Sequence, residues 1–165
     1  MFEFSEKQLR TCFINCPKGE VKRMNLPASW QSMNAENLIF FSWIDPKNPA
    51  KGYAIVPEED GSLRGVLLQK AKAKRKAAQM CSFCMTLHPG SGISLWSAPK
   101  AGEAGRRGNT LGTYVCSDLD CTAYIMGKKK PEGIRQMDET LTFEQRKTRT
   151  LDNARAFVTK IQQTP

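Results

Sequence analysis

An α+β fold is predicted by three features of this 165-residue sequence. A capped amphipathic segment opens it, three short β-rich runs follow in close succession, and the chain ends in a long helical period. Between the β-rich runs and that last helix lie two close pairs of cysteines, Cys81-x2-Cys84 and Cys116-x4-Cys121. The length suits one domain, or two small lobes sharing a core. The expected boundary divides residues 1–76, an N-terminal α+β lobe with a basic connector, from residues 77–165, a cysteine-bearing lobe with a C-terminal helix, the two forming one compact unit.

In the first segment, SEKQLRTCFINC, Ser5 is placed to accept from first-turn amides, and Leu9, Cys12, Phe13 and Cys16 recur at helical spacing before Pro17 ends the run. A second short helix is expected over 20–24. The runs NLIFFSWI (37–44), YAIVP (53–57) and LRGVLLQ (63–69) are aliphatic, β-branched and aromatic. DPKNP and EEDG separate them, which predicts an antiparallel sheet with a turn at Asp60-Gly61. KAKAKRK (70–76) packs five positive charges into seven positions and reads as an exposed connector. Further strands are expected at 93–98 and 110–115, with a glycine-rich loop at 101–109 between them. A helix follows from about Ser117 or Asp118 to Met126. The final helix spans 141–162, where Thr142 and Gln145 form a capping box and Phe143, Leu151, Ala154 and Val158 share a face.

Charge is unevenly distributed. Residues 1–69 hold 8 basic and 8 acidic side chains, and residues 70–165 hold 17 and 8, so the whole formal excess of +9 lies in the second part. Such a field attracts polyanions and steers association with acidic proteins. No stretch approaches the length of a membrane span, and the first residues lack the basic-then-apolar pattern of a signal peptide. A cytoplasmic protein is expected, with neither a membrane nor a small-molecule partner.

A CxxC turn can be a metal grip, a redox pair, part of a disulfide framework or a catalytic thiol. Disulfides are disfavoured without an export signal, and a thioredoxin-like pair calls for a helix directly after CxxC, where this chain has Pro89-Gly90-Ser91-Gly92. A knuckle at Cys81 and Cys84, a hairpin, and a helix carrying Cys121 just after a strand ending in Cys116 make the arrangement of a treble clef. Four thiolates around one tetrahedral ion form a closed structural zinc site, so one zinc is the expected cofactor and no enzymatic activity is expected. His88, the only histidine, is expected beside the ligands or as a plain turn residue, because four sulfurs already complete the shell. Cys12 and Cys16 are expected to be buried thiols.

With these residues in place the sequence resembles the C-terminal, treble-clef-bearing domain of the elongation factor G-binding, FusB-like family. The resemblance rests on INCPKGE, CSFCMTLHPG, KAGEAGRRGNTLGTYVCSDLDC and YIMGKKKP, and extends over nearly the full chain. It implies that Cys81, Cys84, Cys116 and Cys121 bind zinc. It also implies a non-enzymatic role in binding elongation factor G and promoting its departure from stalled ribosomes, which counters fusidic acid. The helical bundle that precedes this domain in FusB has no counterpart in these 165 residues. A contact surface is expected at Phe83 as an apolar anchor, Arg106 and Arg107 on the glycine loop, and Lys128, Lys129 and Lys130 after the helix. The rival reading is a zinc module that binds nucleic acid or ribosomal RNA, with Trp96 or Tyr124 stacking on bases.

Overall fold

The computed structural model describes residues 4–28, 30, 39–72 and 77–163. The elements are α1 (Glu6–Thr11), α2 (Lys18–Arg23), β1 (Phe41–Ile44), β2 (Lys51–Pro57), β3 (Leu63–Lys70), β4 (Gln79–Met80), β5 (Leu87–His88), β6 (Ile93–Pro99), α3 (Gly102–Arg106), β7 (Thr110–Cys116), α4 (Cys121–Ile125) and α5 (Phe143–Gln162). Strands β1-β2-β3-β6-β7 form one antiparallel sheet in that order, and β4 with β5 forms a small hairpin. This is the predicted α+β class. Three of the sheet strands come from the first 76 residues and two from the remainder, so the two halves of the sequence share it.

Side chains alternate across the sheet with the period of a strand. On one face Tyr53, Ile55, Leu67 and Trp43 pack with Leu9, Val21 and Met24. On the other, Ala54, Val56, Val66, Leu68 and Trp96 pack with Ala154, Phe157, Val158 and Ile161 of α5 and with the four paired cysteines. Burial on both faces explains why the central strands read as near-continuous apolar runs. The two predicted caps are present: Gln8 N donates to Ser5 Oγ at 3.1 Å and Gln145 N to Thr142 Oγ1 at 3.2 Å, with each glutamine side chain returning to the cap amide. The Asp60-Gly61 turn forms as expected, with Gly61 at φ 86° and Asp60 Oδ1 accepting from Ser62 N at 2.9 Å.

The seam between the halves is narrow. β3 and β6 pair only at Gln69↔Ser97 and Lys70↔Trp96. Where they part, Asn15 fills the gap: its Nδ2 donates to Leu67 O at 3.1 Å and Pro99 O at 2.9 Å, and its Oδ1 accepts from Leu67 N at 2.7 Å. The carboxamide stands in for a strand residue beside Pro99, which has no amide hydrogen of its own. Further along, Ile14 N donates to Gly65 O and Gly65 N to Cys12 O, both at 2.9 Å. That approach needs a glycine, since a Cβ on Gly65 would lie 2.9 Å from Cys12 Sγ.

Several boundaries differ from expectation, the first helix among them: α1 ends at Thr11 instead of running to Pro17, because residues 12–14 pair with Gly65. The glycine-rich loop contains the short helix α3, closed against the chain so tightly that a Cβ on Gly105 would overlap Lys100 O. The helix expected from Ser117 begins at Cys121, because residues 117–120 make a turn with Leu119 at φ 55°. The strand expected at 37–44 begins at Phe41; residues 37 and 38 lie outside the described residues, as do residues 73–76 of the basic connector.

Candidate metal centre

Each cysteine pair is held by a strained turn. Among the described residues, the non-glycines with left-handed φ are Met85 (60°), directly after Cys84, and Leu119 (55°), two before Cys121. Such a conformation costs on the order of 1 to 2 kcal/mol for a side-chain-bearing residue and persists where the surroundings fix it. In the first turn, β4 and β5 pair at Gln79↔His88 and Met80↔Leu87, Met85 N donates to Cys81 O at 3.0 Å, and the amides of Phe83 and Cys84 both lie 3.4 Å from Cys81 Sγ. Ser82 N donates to Tyr114 O at 2.9 Å, which fastens the knuckle to β7. In the second, Cys116 ends β7 and Cys121 opens α4.

These turns bring Cys81, Cys84, Cys116 and Cys121 into one buried cluster, their sulfurs all within 4.8 Å of one another. Cys81 to Cys121 measures 3.7 Å, Cys84 to Cys116 3.6 Å and Cys116 to Cys121 3.7 Å. A tetrahedron with zinc–sulfur bonds of about 2.3 Å has edges of about 3.8 Å, so the four sulfurs fit one structural zinc. Protons are a poor substitute for the ion. Burial raises the Cys81 thiol, but hydrogen bonds from the other three sulfurs outweigh it and hold Cys81 well below its ordinary value, whereas hydrogen bonds with Cys116, Cys81 and Cys84, added to burial, push Cys121 well above. Without a cation one sulfur ionises at the expense of the rest; zinc lets all four do so.

His88 is buried, with Nε2 3.4 Å from Cys116 Sγ and its ring edge-on to Tyr124 at 4.7 Å. Burial lowers its pKa against the opposing pull of Cys81 and Asp118. Thr86 Oγ1 lies 3.2 Å from Cys84 Sγ. That contact was missed from the sequence, although a hydroxyl two residues after the second knuckle cysteine is the available signal. Cys12 and Cys16, expected to be buried, are half-buried on the other face of the sheet, where desolvation pushes each thiol up to about 12, assisted at Cys16 by Glu20.

The other expected site residues divide. Phe83 is 5% exposed and packs against Phe40 and Phe157 with ring centroids 5.9 and 5.8 Å away, so the expectation of an exposed anchor is corrected: the ring joins the knuckle to α5. Trp96, considered as a base-stacking residue, is fully buried, and its Nε1 donates to Cys116 O. Arg106, the last residue of α3, and Arg107, its C-cap, have side chains 81% and 74% exposed, in loose pairs with Glu103 at 3.6 and 3.8 Å. Lys128 and Lys130 are exposed, while Lys129 spans Asp118 at 3.2 Å and Asp120 at 2.9 Å beside Tyr124, whose hydroxyl donates to Asp118. Lys70 reaches Ser117 O at 3.3 Å, so Lys70 and Lys129 both meet the turn at 117–120. Gln136 was also missed: it bonds both backbone groups of Leu87, at 2.8 and 2.7 Å, and pins the segment before α5 beside the knuckle, with Met137 69% exposed next to it.

The model of the FBP C-terminal treble-clef zinc-finger family matches residues 8–161. Among solved structures, that of the fusidic acid resistance protein FusC is similar, with a TM-score of 0.58 and 16% identity over 98% of this chain and 60% of FusC. At that identity the likeness is one of fold, and this chain spans 60% of the FusC chain's length. No curated protein matches.

Proposed function

Because the chain belongs to the FBP C-terminal treble-clef zinc-finger family, we propose that it is a non-enzymatic, cytoplasmic binding protein for translation elongation factor G that promotes the factor's release from stalled ribosomes. Family membership over 154 of the 165 residues (8–161) carries this reading. Fold similarity to a fusidic acid resistance protein supports it. Consistent with a non-enzymatic role, the buried thiols nearest the only histidine are the zinc ligands themselves.

Release by binding requires differential affinity: the chain must favour the departing state of the factor over the trapped one. A zinc-held surface suits that task because little ordering entropy is lost on docking. In this reading the contact uses Arg106 and Arg107 at the end of α3 and Lys128 and Lys130 after α4, with exposed Met137 beside the knuckle as the apolar contact in place of buried Phe83; the exposure of these side chains supports it. Lys129, engaged with two aspartates, shapes this surface more than it offers free charge.

The test is capture of purified elongation factor G by the immobilised zinc-loaded chain, with and without nuclease and across a salt series. Retention regardless of nuclease, with a shallow salt dependence and a loss of at least tenfold in affinity for the Arg106→Ala, Arg107→Ala, Met137→Ala variant, is expected. Capture of ribosomal RNA alone, weakening steeply with salt, would replace this reading with the nucleic-acid one.

A further inference from the structure

We infer that His88 is a positioning residue of the zinc site: held between Gly92 and Tyr124, it donates from Nε2 to the Cys116 sulfur and sets how tightly that corner of the site retains its metal. The four sulfurs are not equivalently supported. Cys81 Sγ receives two backbone amides, Cys84 Sγ faces the Thr86 hydroxyl, and Cys116 Sγ faces His88 Nε2; among the described residues, the bonds found at Cys121 Sγ are to other sulfurs. A donor aimed at a thiolate withdraws part of its charge, fixes its lone-pair direction and lowers its tendency to leave the metal for a proton or an electrophile. At Cys116 that donor is a side chain, so it can be changed without touching the ligand.

The local sequence builds the seat. In His88-Pro89-Gly90-Ser91-Gly92 the chain turns back so that Gly92 lies under the imidazole, where an added Cβ would be 2.6 Å from His88 Cβ and 2.6 Å from Nδ1. Gly92 O then accepts from Ser117 N at 2.9 Å, which ties the histidine's seat to the residue after Cys116. Tyr124 closes the opposite side edge-on, its hydroxyl held by Asp118 at 2.9 Å. A thiolate has no proton to give, so the imidazole nitrogen that faces it, Nε2 at 3.4 Å, is the donor. This role does not depend on which partner the protein binds.

Cobalt(II) substitution and chelator competition on the full chain test it. The wild-type cobalt protein is expected to show the ligand-field pattern of four sulfurs. His88→Phe, which fills the space without a donor, is expected to weaken zinc binding about 10- to 100-fold and to move the sulfur-to-cobalt charge-transfer band to lower energy. His88→Gln, which restores an N–H donor, should return both towards wild type, and Gly92→Ala, which displaces the ring, should behave like the phenylalanine variant. A histidine that only filled space would leave the band of His88→Phe unmoved and its affinity unchanged, and that result overturns the proposal. A wild-type cobalt spectrum of three sulfurs and one nitrogen overturns it as well, by making His88 a ligand, and needs no variant to fold.

Discussion

The two faces of the sheet are built differently although the same strands supply both. One face, closed by α1 and α2, is held by ordinary means: apolar packing of Leu9, Val21, Met24 and Trp43, a capping box at Ser5, and two cysteines that serve as apolar thiols. The other is closed by α5 and the knuckle, and its core includes four cysteine sulfurs in strained turns. The same residue type thus takes opposite chemical roles according to what surrounds it. Cys12 and Cys16 are kept as thiols by burial; Cys81, Cys84, Cys116 and Cys121 are grouped so closely that a cation satisfies them better than protons do.

Removing a zinc ligand has the largest expected effect on one face alone. Binding free energies for structural zinc sites are about 10 to 16 kcal/mol, comparable with the whole net stability of a domain. Cys116→Ser is expected to abolish stoichiometric zinc and to strip amide-exchange protection first from the knuckle, α4 and α5. Simultaneous loss on α1 and β1 would show that the two faces are not separable. Next in size is the contrast in thiol chemistry. With pKa values raised to about 12, Cys12 and Cys16 should carry on the order of a thousandfold less thiolate at pH 8 than an ordinary cysteine and alkylate correspondingly slowly, with the rate rising about tenfold per pH unit. Alkylation at the rate of a free peptide thiol would contradict this desolvation of the half-buried thiols. The linkage has a sign: a folded pKa above the unfolded one stabilises fully below pH 9, and that contribution is lost as pH rises from 9 towards 12, so alkaline denaturation should act on this face.

At the seam, one side chain bridges the two halves. Asn15→Ala leaves Leu67 N and two carbonyls without their partner in a buried position, and a loss of about 2 to 4 kcal/mol is expected in chemical denaturation with zinc content unchanged. Retained stability would show that water replaces the carboxamide. Smallest is the cap of α5: Thr142→Ala should cost about 1 kcal/mol, seen as a fall of about 2 to 4 °C in Tm.

Much of this was legible in the sequence because its causes are local. The caps at Ser5 and Thr142, the turn at Asp60-Gly61, the β-rich runs and the spacing of the paired cysteines each act over a few residues and leave a pattern. What was not legible depends on distant partners. Nothing near Phe83 says that its ring meets Phe40 and Phe157, 43 residues before it and 74 after it, and an aromatic within a CxxC reads equally as an exposed tip. Asn15 looks like a loop residue until β3 and β6 part beside it. Lys129 is indistinguishable from its neighbours in KKK until Asp118 and Asp120 face it. The glycine-rich loop concealed α3 because its glycines permit close approach to Lys100 rather than marking disorder of the chain direction.

The dependence of the knuckle face on its ion is tested most directly by elemental analysis of the purified, reductant-treated protein alongside its circular dichroism. One zinc per chain, with folded structure lost when a strong chelator removes it, is the predicted result. A native spectrum from protein holding no stoichiometric metal would contradict the account.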